Sequence, residues 1–134
     1  MRVSLDVVHN DLDDFHNEKV PNRFLRLRSD NGTVHRTDSG TAGNFAQIIE
    51  ALPECGPCWV LCHFSYFDTS GNPCLEPLIL SWAPPALRGR TGARLVLGAQ
   101  RIGDYFAPSL PQILLYRPMS HEEVAHFLRS LARV

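Results

Sequence analysis

The chain has 134 residues, 44% hydrophobic and 20% charged, enough for one core of ordinary size and too apolar for a disordered segment. Thirteen Lys and Arg against 14 Asp and Glu give a formal net charge of -1, which argues against a bulk electrostatic nucleic-acid binder. Met1 to Asp6 meet acid before any apolar run of signal-peptide length, and no stretch approaches a bilayer span, so the expectation is a monomeric cytosolic protein with one domain over 1–134.

Leu5, Val8, Leu12 and Phe15 recur at helical spacing, with Ser4 as N-cap and Pro21 closing the segment, which predicts a first helix. Phe24 to Arg28 and Thr33 to Arg36 are extended runs around Asn31-Gly32, the pair that tolerates the positive φ of a tight hairpin. Asp38 to Thr41 read as a loop. Phe45, Ile48, Ile49 and Leu52 form the stripe of a second helix ended by Pro53. Trp59 to Phe67 is apolar on both alternating faces, so it belongs at the centre of a covered sheet. A turn over 68–73 leads to a partner strand, Leu78 to Trp82, stopped by Pro84-Pro85.

A loop from Leu87 to Gly92 precedes a third helix with Leu95, Ala99, Ile102 and Phe106 inside, weakened by Gly98 and Gly103 at about 1 kcal/mol each relative to Ala. Gln112 to Tyr116 is a short strand. Ser120-His121-Glu122-Glu123 is a capping box opening a last helix with Val124, Phe127, Leu128 and Leu131 buried. The order α-β-β-α-β-β-α-β-α predicts an α/β (α+β) domain, with a central mixed sheet of five to six strands and helices on both faces.

Several motifs carry potential chemistry. Cys55-Gly56-Pro57-Cys58 is the thioredoxin tetrapeptide, but that chemistry needs a strand before it and a helix N-terminus under the first thiol, and here the order is reversed. Thiol oxidoreduction through Cys55 and Cys58 is the minor alternative. The four cysteines, Cys55, Cys58, Cys62 and Cys74, are expected as reduced thiols, and no second Cys-x-x-Cys completes a zinc site. His121 and His126 are five apart, about 140° around a helix, and do not share a metal. No Walker loop, G-x-G-x-x-G or G-x-S-x-G is present, so neither an enzyme nor a cofactor is implied. Arg90, Arg94 and Arg101, with Leu97 and Gly98, are assigned to the outer face of the third helix. That face reads either as a solvated surface or as a dock for an acidic, partly apolar partner. Arg88 adds to this charge from the preceding loop.

The run Asp13-Asp14-Phe15-His16-Asn17-Glu18-Lys19 leading to Arg23-Phe24-Leu25-Arg26-Leu27, with Leu80-Ser81-Trp82-Ala83-Pro84 before a long helix, resembles the actin-depolymerising-factor homology domain across nearly the whole chain. Leu52-Pro53-Glu54 with Pro57, Pro77 before Leu78-Ile79-Leu80, and Gly98-Ala99 in the long helix are similar to its glia maturation factor branch. The resemblance implies a non-enzymatic cytoskeletal regulator that binds the branch-nucleating actin-related protein complex, inhibits nucleation and promotes debranching. The alternative is cofilin-type binding of actin monomers and filaments with depolymerisation.

The implied partner-binding residues are Arg90, Arg94 and Arg101 for charge, Leu97 for an apolar contact and Gly98 for close approach. Ser4 stands near the family's phosphorylated N-terminal serine. A second surface would comprise the 68–76 turn, including Asn72, with Glu122, Arg129 and Arg133. Two departures stand out: Ala93-Arg94-Leu95-Val96 lacks the family's aromatic there, and the 68–76 turn holds no Lys or Arg, which weighs against filament severing.

Overall fold

One strand with two apolar faces decides the architecture. β3 (Cys58–Phe67) is buried at all but two of its positions, so both faces must be covered and a neighbour must pair on each edge. β4 (Pro73–Trp82) pairs with it antiparallel from Cys58 opposite Trp82 to Phe67 opposite Pro73. β1 (Arg23–Asp30) takes the other edge at Phe24 to Leu27, β2 (Thr33–Thr41) pairs outside β1, and β5 (Gln112–Leu115) runs parallel to β4. The mixed sheet has five strands in the order β2-β1-β3-β4-β5. This computed structural model describes residues 3–84 and 90–131. The loop around Arg88, the stop at Pro85 and the predicted contact Arg133 lie outside them.

Helices cover both faces, as the periodicity requires. On one side α1 (His9–Asn17) and α3 (Arg90–Gly103) bring Leu12, Phe15, Leu95, Ala99 and Ile102 onto Leu25, Leu27, Trp59, Leu61 and Ile79. On the other, α2 (Phe45–Glu50) and α4 (His121–Leu131) bring Phe45, Ile48, Val124 and Leu128 onto Val60, Cys62, Phe64, Leu80 and Ile113. Each fully buried Leu, Ile or Phe contributes about 1.5–3 kcal/mol. Among the described residues no helix is long and apolar enough to cross a membrane.

Several boundaries differ from the sequence reading. The segment Asp38 to Thr41 is strand, because a bulge between Arg26 and Leu27 leaves Thr37 unpaired and breaks the alternation that marks a strand. The Thr37 hydroxyl occupies the gap, accepting from Arg26 Nε at 3.2 Å. Ser4 is not at the N-cap of the first helical segment, a position held by Leu5, although its Oγ accepts the Asp6 N–H at 3.4 Å. A 3-10 turn, Asp6–Val8, precedes α1, and neither start has a side-chain cap. Ser4 is held as extended chain: its N–H donates to Gly32 O at 2.7 Å and its carbonyl accepts from Val34 N–H at 3.0 Å.

α3 starts at Arg90, earlier than predicted, with Gly92 so near Tyr116 that an added Cβ would stand 2.7 Å from its hydroxyl. Phe106 is buried but lies past the helix end, and Leu131 is 46% exposed instead of inside. The hairpin turn has both central residues at positive φ, Asn31 at 51° and Gly32 at 82°. The capping box forms in both directions, with Glu123 N–H donating to Ser120 Oγ and Ser120 N–H to Glu123 Oε1, each at 3.2 Å.

Candidate protein-docking surface

At about 100° per residue, Leu97, Arg90, Arg101 and Arg94 fall within one narrow arc of α3, opposite Leu95, Ala99 and Ile102. The structure turns that arc outward. Leu97 is 56% exposed. Arg90 and Arg94 are exposed, and among the described residues neither has an ion-pair or hydrogen-bond partner. A basic and partly apolar strip is left facing solvent.

Two of the predicted contact residues have other tasks. Gly98 sits on the inner flank of the helix, where an added Cβ would stand 2.2 Å from the Trp59 ring. Its missing side chain lets α3 settle on the sheet, and the Trp59 Nε1–H donates to Leu95 O at 2.9 Å. The close approach served by Gly98 is therefore internal, and the residue is not presented to a partner. Arg101 Nε donates to Val3 O at 2.9 Å, tying the N-terminal segment to α3.

That tie, together with the pairing of Ser4 to Gly32 and Val34, straps residues 3–5 between α3 and the β1-β2 turn. The strap separates two open grooves. One, of about 530 Å³, is walled by Arg94, Thr91, Pro57, Trp59 and the hairpin tip. The other, of about 770 Å³, has Ser4, His9, Arg101 and Tyr105 along it. Tyr105 joins α1 to the end of α3: its hydroxyl meets His9 Nδ1 and donates to Asp13 Oδ1 at 2.6 Å, which pushes its pKa up to about 12. Sequence periodicity gives no hint of the strap or of the hairpin tip as a groove wall, because both depend on contacts between distant segments.

Of the second predicted surface, Glu122 and Arg129 are joined to each other and to the end of β3. Arg129 Nε donates to Phe67 O at 2.8 Å, and its Nη1 pairs with Glu122 Oε1 at 3.0 Å. In the 68–72 turn, Asp68 Oδ1 accepts the N–H groups of Ser70 and Asn72, each at 2.9 Å. Phe67 stands 60% exposed beside it.

The cysteine and histidine motifs resolve differently. Cys55 ends a 3-10 turn, Leu52–Glu54, and Cys58 begins β3, so no helix N-terminus supports either thiol. Burial pushes the Cys58 and Cys62 thiols up to about 12, the opposite of an activated nucleophile. His121 Nε2 donates to Ser65 O at 2.7 Å, with its ring against Phe64. His126 is exposed elsewhere on α4.

No protein-family model matches the chain, and no curated protein matches it in sequence. The fold, a mixed five-stranded sheet with two helices on each face, is that of the actin-depolymerising-factor homology domain. The cofilin of Streptomyces griseoflavus superposes with a TM-score of 0.73 at 15% identity, over 92% of this chain and 97% of that one. An ADF-like protein of Caenorhabditis elegans gives 0.74 at 14% identity over 97% and 94%, and the coactosin of Entamoeba histolytica 0.70 at 10% identity over 98% of each. At these identities the likeness is one of fold.

Proposed function

We propose that this protein is a cytoplasmic, monomeric, single-domain regulator of the actin cytoskeleton that docks on actin or actin-related proteins through the outer face of α3. The observation that carries the reading is the pair of guanidinium groups, Arg90 and Arg94, that have no partner among the described residues and share one arc of α3 with exposed Leu97. A fixed helix presenting charge around an apolar centre suits an acidic, partly apolar groove on a protein partner. In this reading Ser4 and Arg101 shape the edge of the surface, and no catalytic group or cofactor takes part.

Within that class we assign the glia-maturation-factor-like role: binding the branch-nucleating actin-related protein complex, inhibiting nucleation and promoting debranching. Two sequence features support it, the resemblance of Leu52-Pro53-Glu54, Pro77 and Gly98-Ala99 to that branch and the lack of Lys or Arg in the 68–76 turn. The second reading, cofilin-type binding and depolymerisation of actin, is favoured by the cofilin and ADF names among the structurally similar proteins. Pull-down with monomeric actin against pull-down with the branch complex, plus filament co-sedimentation, separates the two. Capture of the complex with weak actin binding is expected. Strong co-sedimentation with filaments and no capture of the complex would establish the cofilin reading, and binding left intact by Arg90→Glu with Arg94→Glu would remove the α3 site.

A further inference from the structure

The tetrapeptide Cys55-Gly56-Pro57-Cys58 has no place in the docking function, yet it lies directly beside the surface proposed for it. It is the hinge by which the chain leaves the Leu52–Glu54 turn and enters β3. Both thiols are free. Cys55 is half-buried, with its Sγ donating to Ala51 O at 3.2 Å, and it packs against the core cluster that contains the fully buried Cys58. Pro57, between them, walls the 530 Å³ groove that Arg94 also walls. The carbonyl of Cys55 accepts the Trp82 Nε1–H at 3.3 Å, so the backbone of the hinge is tied to the end of β4. The guanidinium of Arg28 lies over the hinge, 3.1 Å from where a Cβ on Gly56 would stand.

We propose that Cys55 and Cys58 are a redox-modification site, an oxidisable pair whose internal disulfide reshapes the Pro57 wall of the α3 groove and thereby weakens partner docking. The docking half rests on the function proposed above; the disulfide half stands without it. The oxidant class is a low-molecular-weight disulfide such as oxidised glutathione.

The chemistry takes two exchanges. Cys55, the accessible sulfur, attacks as thiolate; a Cys55–glutathione bond forms, the glutathione S–S bond breaks, and one glutathione thiolate leaves with the electron pair. Cys58 then gives up its proton and attacks the Cys55 sulfur, forming the Cys55–Cys58 bond and expelling the second glutathione thiolate. The protein loses two electrons and two protons, and the oxidised glutathione becomes two glutathione thiols. Because the buried Cys58 thiol ionises reluctantly, the second exchange is slow, which suits a stoichiometric switch and not a turning-over oxidoreductase.

The test is incubation of the native chain with oxidised glutathione followed by peptide mass mapping. Wild type is expected to end with a Cys55–Cys58 link and two remaining free thiols, Cys62 and Cys74. Cys58→Ser is expected to stop at one glutathione held on Cys55. Should Cys58→Ser fail to fold, the half-buried Cys55→Ser serves instead, and its residue 58 is expected to take up no glutathione and form no link. A stable glutathione adduct without the internal link in wild type, a link to Cys62 or Cys74, or no modification would each overturn the site.

The same samples are then compared for capture of the branch complex and of actin. Oxidised wild type is expected to bind several-fold more weakly than reduced, with Cys55→Ser indifferent to the oxidant. Equal binding of the two wild-type forms overturns the coupling. If the reduced chain captures neither partner, the docking reading fails and the coupling with it, while the mass map decides the disulfide by itself.

Discussion

Two surfaces of this molecule carry arginines, and they differ in whether those arginines already have partners. On α3, Arg90 and Arg94 flank exposed Leu97 with no partner among the described residues. On α4, Arg129 is occupied twice, by Glu122 and by the Phe67 carbonyl, and the adjoining turn closes on its own Asp68. A charge-assisted hydrogen bond to a strand's backbone fastens α4 to the overhanging end of β3, where β1 no longer pairs. The charge of Arg129 on α4 therefore holds the fold, whereas the charges of Arg90 and Arg94 on α3 are available to another molecule. The two helices pack on opposite faces of one sheet, so mutations on them should separate stability from binding.

The largest effect expected lies under the α3 surface. Gly98→Ala forces a methyl into the Trp59 ring and should destabilise the protein by about 3 kcal/mol, read as a lowered denaturant midpoint. A loss below about 0.5 kcal/mol would mean that α3 can slide on the sheet, contrary to the fixed presentation described above. Next comes Arg90→Glu with Arg94→Glu, expected to weaken partner binding by at least about tenfold, about 1.4 kcal/mol, with thermal unfolding unchanged. The opposite pattern is expected on α4. Arg129→Ala should cost about 1 kcal/mol of stability and leave partner binding within about twofold. If Arg129→Ala were instead to abolish binding at unchanged stability, the contrast between the helices would be reversed.

The smallest effect concerns pH. His63 is buried on β3, stacks on Phe15 and donates from Nε2 to Phe15 O at 2.7 Å. Burial holds its pKa below the ordinary 6.5, and the charges of Arg23, Lys19 and His16 around it oppose protonation further. The unfolded chain thus takes up a proton that the folded chain refuses, and stability falls as pH drops below about 6.5. His63→Gln should flatten that slope between about pH 5 and pH 7, measured as denaturant midpoint against pH. An unchanged slope would assign the dependence elsewhere. Glu123 acts in a lower window: Arg117 and the Ser120 N–H hold it at about 2, so its contribution is lost as pH falls from the usual carboxylate range toward that value.

How much was legible in the sequence follows from how local each signal is. The capping box at Ser120 and Glu123 and the Asn31-Gly32 turn are set by residues within a few positions of one another, and both form as read. The two-faced burial of β3 follows from its apolar pattern. The strand character of Asp38 to Thr41 was hidden, because one unpaired residue, Thr37, shifts the alternation that reveals strands. Periodicity puts Gly98 near the outer arc of α3, but a glycine has no side chain to report the face it belongs to, and only the Trp59 ring shows that it is the inner flank. A serine before an apolar-periodic run suits a helix cap, whereas the Gly32 and Val34 backbone groups that hold Ser4 lie far along the chain.

The sequence by itself determined the order of elements, the central position of β3 and the basic outer arc of α3, all consequences of periodicity and of the solvation of charge. The tertiary structure decided which of those charges are free. Arg101 is drawn to Val3 and Arg129 to Phe67, while Arg90 and Arg94 are left without partners among the described residues. It also decided the setting of the cysteine pair, which composition made conspicuous and spacing alone could not interpret. Both outcomes depend on segments far apart in the chain meeting across the sheet, and a linear pattern carries no record of those meetings.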